Sequence, residues 1–217
     1  MATTTNYGWT TPDNTAYVKY GAAAIRSLGS AVDTTSATTN AAGLVFLRTV
    51  TIGTAVASVS IGATGNPLFT SAYDNYRIIY QPYASSTTGS DLRFRYRSGN
   101  TDNTTSNYNW AGNSVGFTGT ATTVFGAGQN QGFFGFGSYT SSAAWGSHII
   151  DIEMPFLAQY TSHESVGTGV SAAGLVIRCN SGGYFNAVTS FDGITFLPIA
   201  GTLTGGTISV YGYRKAI

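Results

Sequence analysis

Nine acidic side chains serve the whole of this 217-residue chain. Asp151 and Glu153 are the pair best spaced to act together. Two positions apart on a strand, they would share a face at about 7 Å, a separation that the acid and base of glycoside hydrolysis could use. The plainer reading is a solvated face, or pairing with the arginines at 93, 95 and 97, and the sequence favours it. His148 and His163 are the only histidines. With Glu164 and Cys179 they could be forced into a four-ligand set, but none of the ligand spacings of a zinc site is present. No G-x-S-x-G elbow presents a serine nucleophile. The glycine-rich run at 132–137 is broken by phenylalanines and lacks the Lys-Ser/Thr of a phosphate loop. The sequence therefore predicts no catalytic residue, no metal site and no cofactor.

Residues that could bind are better represented. Tyr108, Trp110, Phe133, Phe134, Phe136, Tyr139 and Trp145 sit in stretches rich in Gly, Asn and Ser, which read as loops. Loop aromatics stack on sugars or anchor protein contacts. Tyr108, Trp110, Phe134, Phe136 and Tyr139 are the candidate receptor-binding residues, with packing at a subunit interface or at the ends of a sandwich as the alternative. Arg93, Arg95 and Arg97 alternate with Leu92, Phe94 and Tyr96, giving a basic stripe. It could meet an anionic surface such as lipopolysaccharide, but ion pairing across a subunit interface with Asp91, Asp102 or Asp151 is the favoured expectation. Cys179, the single cysteine, reads as a small buried apolar residue and admits no internal disulfide.

The elements that would position these residues are mostly strands. Hydrophobic residues make up 42% and aromatics 13%, with 28 glycines. Charged residues reach only 9%, against roughly 25% in an average domain. Tyr, Thr, Val and Ile favour strands, and Gly and Asn favour turns. The composition predicts an all-β fold with a substantial core. A net charge of +1 argues against nucleic-acid binding. No signal peptide or membrane span is read, so synthesis in the cytoplasm outside the Sec route is expected.

Only residues 13–33 read as a helix, with Thr11-Pro12-Asp13-Asn14 as its start, Gly29 as a stop near Ser30, and a Thr/Ser/Ala linker at 33–43. Val18, Gly21, Ile25, Leu28 and Val32 recur at alternating spacings of three and four, the apolar seam of a short coiled coil. A short helix with so thin a seam needs partners, and copies of itself are the simplest. From Leu44 the pattern has period two. Strands are predicted at 44–51, 57–61 and 75–83, and then at 92–97. Residues 99–120 read as a loop or a loop-rich hairpin. Further strands are predicted at 148–154, 161–167, 174–180, 184–190, 195–199 and 207–214. Tyr76, Ile78 and Tyr80 should share one face, opposite Arg77 and Ile79, and Asp192-Gly193 reads as a tight hairpin turn. Two regions follow: an amino-terminal segment at 1–43 and a β-sandwich head at 44–217.

Residues 6–35, NYGWTTPDNTAYVKYGAAAIRSLGSAVDTT, resemble a segment common in bacteriophage tail-fibre and minor structural proteins, where a Trp/Thr/Pro lead-in precedes a VKDGAAAIR-type helix. Tyr20 stands where that pattern has Asp. FLPIAGTLTGGTISVYGYRK near the carboxy terminus, with YDNYRIIY and DIEMPFLAQYTS, resembles the β-rich module that closes many phage fibre-like proteins. The resemblance covers about half the chain. It implies a virion protein assembled in the host cytoplasm, a homotrimer with a jelly-roll-like head. Tyr7, Trp9 and Pro12 would belong to the anchor on other virion proteins, and the head would meet a host surface glycan or protein. A small tail fibre or knob that helps attach the particle is the first expectation, and a capsid decoration with a mainly structural role is the second.

Overall fold

The computed structural model describes residues 2–11, 18–40, 43–119, 121–137, 140 and 146–215, with only the backbone of 2, 18, 19, 37–40 and 83. The chain forms two compact units, one of Leu44–Arg214 and one of Met1–Gly43 with the last three residues. In the smaller unit, β1 (Ala2–Thr3) pairs antiparallel with β2 (Thr10–Thr11), and α1 spans Val18–Asn40. The predicted helix start at Pro12–Asn14 lies outside the described residues. The predicted stop near Ser30 is overturned. Gly29 costs the helix about 1 kcal/mol without ending it. Thr34 then donates its hydroxyl to the Ser30 carbonyl at 2.9 Å, and Trp9 Nε1 donates to Thr35 Oγ1 at 3.0 Å, so the Thr-rich stretch has side-chain partners within a helix.

The larger unit is all β. Its strands are β3 (Leu44–Thr51), β4 (Val59–Ile61), β5 (Tyr73–Ser85), β6 (Asp91–Ser98), β7 (Thr101–Asp102), β8 (Tyr108–Gly116), β9 (Ala121–Gln129), β10 (Gly132–Phe136), β11 (Ser147–Glu153), β12 (Gln159–Val170), β13 (Val176–Thr189), β14 (Gly193–Pro198) and β15 (Leu203–Arg214). Eight form one sheet in the order β3-β15-β5-β11-β12-β13-β8-β9. Five form a second, β10-β6-β14-β4, with β7 beside β6. Neighbouring strands are antiparallel in both.

The sheets stack face to face because period-two alternation gives each an apolar inner face. Tyr76, Ile78 and Tyr80 of β5 are fully buried, as are Leu92, Phe94 and Tyr96 of β6. Rings meet across the gap: Tyr80 lies 5.5 Å from Phe196, Phe94 4.8 Å from His163, and Tyr96 6.1 Å from Phe185. The core is unusually rich in aromatics, which need a wide space between sheets and fix their neighbours by edge-to-face contact.

Two expectations about turns fail. Residues 174–180 and 184–190 are not separate strands but parts of one, β13, which runs through Ser181-Gly182-Gly183. Gly183 is there for close approach: a Cβ on it would sit 2.2 Å from the Asn109 carbonyl oxygen and 2.8 Å from the His163 ring. Asp192-Gly193 is not a hairpin turn either. It carries the chain from β13 in the large sheet to β14 in the small one. The Asp192 carboxylate accepts from the Gly99 N–H, and its carbonyl accepts from Leu68 N at 2.7 Å.

Candidate functional site

Three of the five proposed receptor-binding aromatics, Tyr108, Trp110 and Phe134, are core residues. Tyr108 and Trp110 lie on β8, not on a loop, and Phe134 lies on β10. Tyr108 and Phe134 are at most 1% exposed and Trp110 8%. Abundant Asn, Ser and Gly made these segments resemble loops, yet every second residue of β8 points inward. The Tyr108 hydroxyl accepts from the Tyr96 N–H at 2.9 Å and donates to the Asn103 carbonyl at 3.0 Å. Burial raises its pKa. Phe136 is half-buried with its ring 5.4 Å from Phe133, and Tyr139 lies outside the described residues.

Arg93 and Arg97 of the stripe find their acidic partners, Asp91 and Asp102, within the chain, so the ion pairs expected across a subunit interface are made internally. Arg97 bonds Asp102 Oδ1 at 2.7 Å, Thr195 Oγ1 at 2.7 Å and the Asn100 carbonyl at 2.6 Å. Arg93 pairs with Asp91 and is nearly buried, its guanidinium 4.4 Å from the Trp110 ring and 5.1 Å from Phe133. Asp151 answers to Arg77 instead, through two bonds of 2.8 and 2.7 Å, and accepts the Tyr213 hydroxyl at 2.8 Å. The Asp151 carboxylate holds the Arg77 guanidinium above its ordinary pKa. Glu153 accepts from Ser162 on the next strand. Neither acid of this pair is poised as a general acid or base.

The two histidines do not converge with Glu164. His163 and Glu164 are sequence neighbours on β12 and so face opposite sides of the sheet. Both imidazoles point inward, where His163 Nε2 meets the Phe133 carbonyl at 3.1 Å and His148 Nε2 meets the Phe136 carbonyl at 2.9 Å. Ser165 donates to the Phe134 carbonyl at 2.7 Å, and Ser181 reaches the Phe133 carbonyl at 3.4 Å. Four inner-face side chains thus tie down the backbone of β10, the edge strand of the small sheet. Glycines let the strands meet so closely: a Cβ on Gly135 or Gly167 would sit 2.1 or 2.3 Å from the His148 ring, and one on Gly169 2.4 Å from the Phe136 carbonyl oxygen. Desolvation lowers both histidine pKa values to about 4. Each ring is therefore neutral at pH 7 and donates through Nε2. Cys179 is also inward and buried, its thiol pushed up to about 12.

The outer face of the large sheet carries a shallow concavity of about 460 Å³ over β11, β12, β13 and β8. Strand register sets its rows. Arg77, Asp151, Glu164, Gly182, Ala111 and Phe125 are successive cross-strand partners, and Ile79, Ile149, Val166, Asn180, Asn113 and Thr123 form the next row. Partners in such rows stand about 5 Å apart. Asp151 is engaged, Glu164 is exposed, and the two serines of the lining, Ser165 and Ser181, bond to each other at 2.7 Å and to carbonyls of β10. No protein-family model matches the chain, and neither a curated protein nor a solved structure matches it.

In the smaller unit the predicted seam is placed unevenly. Gly21 and Leu28 are half-buried, whereas Ile25 is 66% exposed and Val32 36%. The side chain of Val18 is not among those described. Of the anchor residues, Trp9 is half-buried and bonded to α1, Tyr7 stacks on it at 5.0 Å and is otherwise exposed, and Pro12 lies outside the described residues.

Proposed function

We infer that the chain is an oligomeric structural protein of a bacteriophage particle, in which α1 joins copies and a jelly-roll-like β head projects. The observation that carries the oligomer is the apolar side of α1. Ile25 and Val32 stand exposed on a 23-residue helix whose main strand contact is with β2. Such a helix has too little packing to hold itself in water, and three copies would bury those side chains together. The sequence resemblance supplies the particle. Burial of Tyr108, Trp110 and Phe134 removes the loop aromatics that favoured adhesion, so the structural role, as a small fibre, knob or capsid decoration, leads over receptor binding. A structural rather than enzymatic role also fits the commitment of Asp151 and Glu153 to neighbouring side chains.

Sedimentation equilibrium tests this directly. The expected mass is near three times 22.6 kDa. Ile25→Asp places a charge in the seam and should shift the protein toward monomer with the head intact by circular dichroism. A folded wild-type monomer at tens of micromolar would overturn the reading.

A further inference from the structure

The two sheets treat their edges differently. In the small sheet, β4 is only three residues long, and the β10 carbonyls are capped by His148, His163, Ser165 and Ser181. Short or covered edges are how proteins avoid unwanted strand pairing. The large sheet has neither device. β9 is nine residues with no charge and no proline, ATTVFGAGQ, and β3 is eight residues with Arg48 as its one charge. Among the described residues, no strand pairs with the open side of either. Phe125 on β9 is 79% exposed and Phe46 on β3 58%.

We propose that β9 of one copy pairs with β3 of the next, joining the large sheets of the assembly edge to edge. Three features fit these edges to each other. Each neighbour in the order β3-β15-β5-β11-β12-β13-β8-β9 reverses direction, so an even count of eight leaves β3 and β9 antiparallel. In a rotational assembly with its axis along the strands, β9 therefore meets the next β3 in the antiparallel sense, the stronger ladder. The strands match in length to one residue. Lastly, Phe46 and Phe125 close the two ends of a single cross-strand row, which runs Phe46, Tyr211, Arg77, Asp151, Glu164, Gly182, Ala111, Phe125. Continued into the next copy, that row sets one exposed ring against the other, and aromatic cross-strand pairs stabilise sheets. Three residues separate α1 from β3, so copies gathered by their helices hold their β3 edges at high effective concentration. The proposal rests to that extent on association through α1.

Hydrogen–deuterium exchange on the full chain, read by peptide, tests it beside sedimentation. The wild type is compared with Ile25→Asp, and with wild type diluted until it dissociates. Peptides covering β3 and β9 should exchange at least tenfold more slowly in the assembled protein than in the dissociated one, with β5 and β11 unchanged. Assembled protein whose β3 and β9 exchange as fast as in the monomer overturns edge pairing and leaves association through α1 standing. Ile25→Asp that stays oligomeric with both edges protected supports edge pairing and moves the seat of association from helix to sheet. A wild-type monomer with both edges unprotected overturns both.

Discussion

Acid should loosen the head through His148 and His163. Both rings are buried and neutral, with folded pKa values of about 4 against about 6.5 for a free imidazole. Between those values the unfolded chain binds protons that the folded chain does not, so stability is full above pH 6.5 and falls as the pH drops toward 4. Each shift of about 2.5 units is worth at most about 3.4 kcal/mol per histidine. Integrated from pH 7.5 to pH 5, the pair should lose about 4 kcal/mol, a large part of the roughly 5–15 kcal/mol that holds a domain together. The assay is urea denaturation followed by tryptophan fluorescence at half-unit steps across that range. Carboxylates titrate nearby, so the informative quantity is the difference from His148→Gln and His163→Gln, whose amides can still donate to the Phe136 and Phe133 carbonyls. Each single variant should remove about half of the pH-dependent loss. Wild-type stability flat from pH 7.5 to 5, or variants with the slope of the wild type, would refute the reasoning.

Two further outcomes test the core. The Tyr96 hydroxyl is buried without a hydrogen-bond partner among the described residues, whereas that of Tyr108 makes two bonds. Tyr96→Phe should therefore stabilise by about 1 kcal/mol and Tyr108→Phe destabilise by about 1–2 kcal/mol in thermal or urea melts, and equal effects would contradict the assignment. Trp110→Ala should cost about 3–5 kcal/mol, because it empties the space between Phe133 and the Arg93 guanidinium. An unchanged melting temperature in that variant would return Trp110 to the surface.

Strand alternation was legible wherever one face was apolar. Tyr76-Ile78-Tyr80 on β5 and Leu92-Phe94-Tyr96 on β6 could be read directly, since large apolar residues every second position have only one face to occupy. The pattern failed where the inner face is not apolar. Along β12 the inward positions are Thr161, His163, Ser165, Gly167 and Gly169, and nothing there announces a core. His163, Ser165 and Gly169 are small or hydrogen-bonding because they face the backbone of β10, and Gly167 makes room for the His148 ring. The same contact explains why Gly132–Phe136 resembled a loop: its glycines serve proximity, not turning. In the Asp151/Glu153 site, the shared face could be read, but the partner could not. Arg77 is 74 residues away, and only register brings it opposite Asp151. On α1, heptad spacing could be read and helix length could not, because a Thr/Ser-rich stretch has weak intrinsic helix preference and reads as a linker.

The tied β10 strand also has a history in time. Its carbonyls lie at residues 133–136, but the side chains that cap them come from 148, 163, 165 and 181, all made later by the ribosome. At synthesis rates of roughly 5–20 residues per second, Phe133 and Phe134 wait for seconds without their partners, two adjacent phenylalanines on an open strand. Docking must also follow the pairing of β11, β12 and β13, which assembles the caps on one surface. β10 thus cannot be fastened until β13 has been made, and that interval leaves the nascent head open to aggregation or to a chaperone.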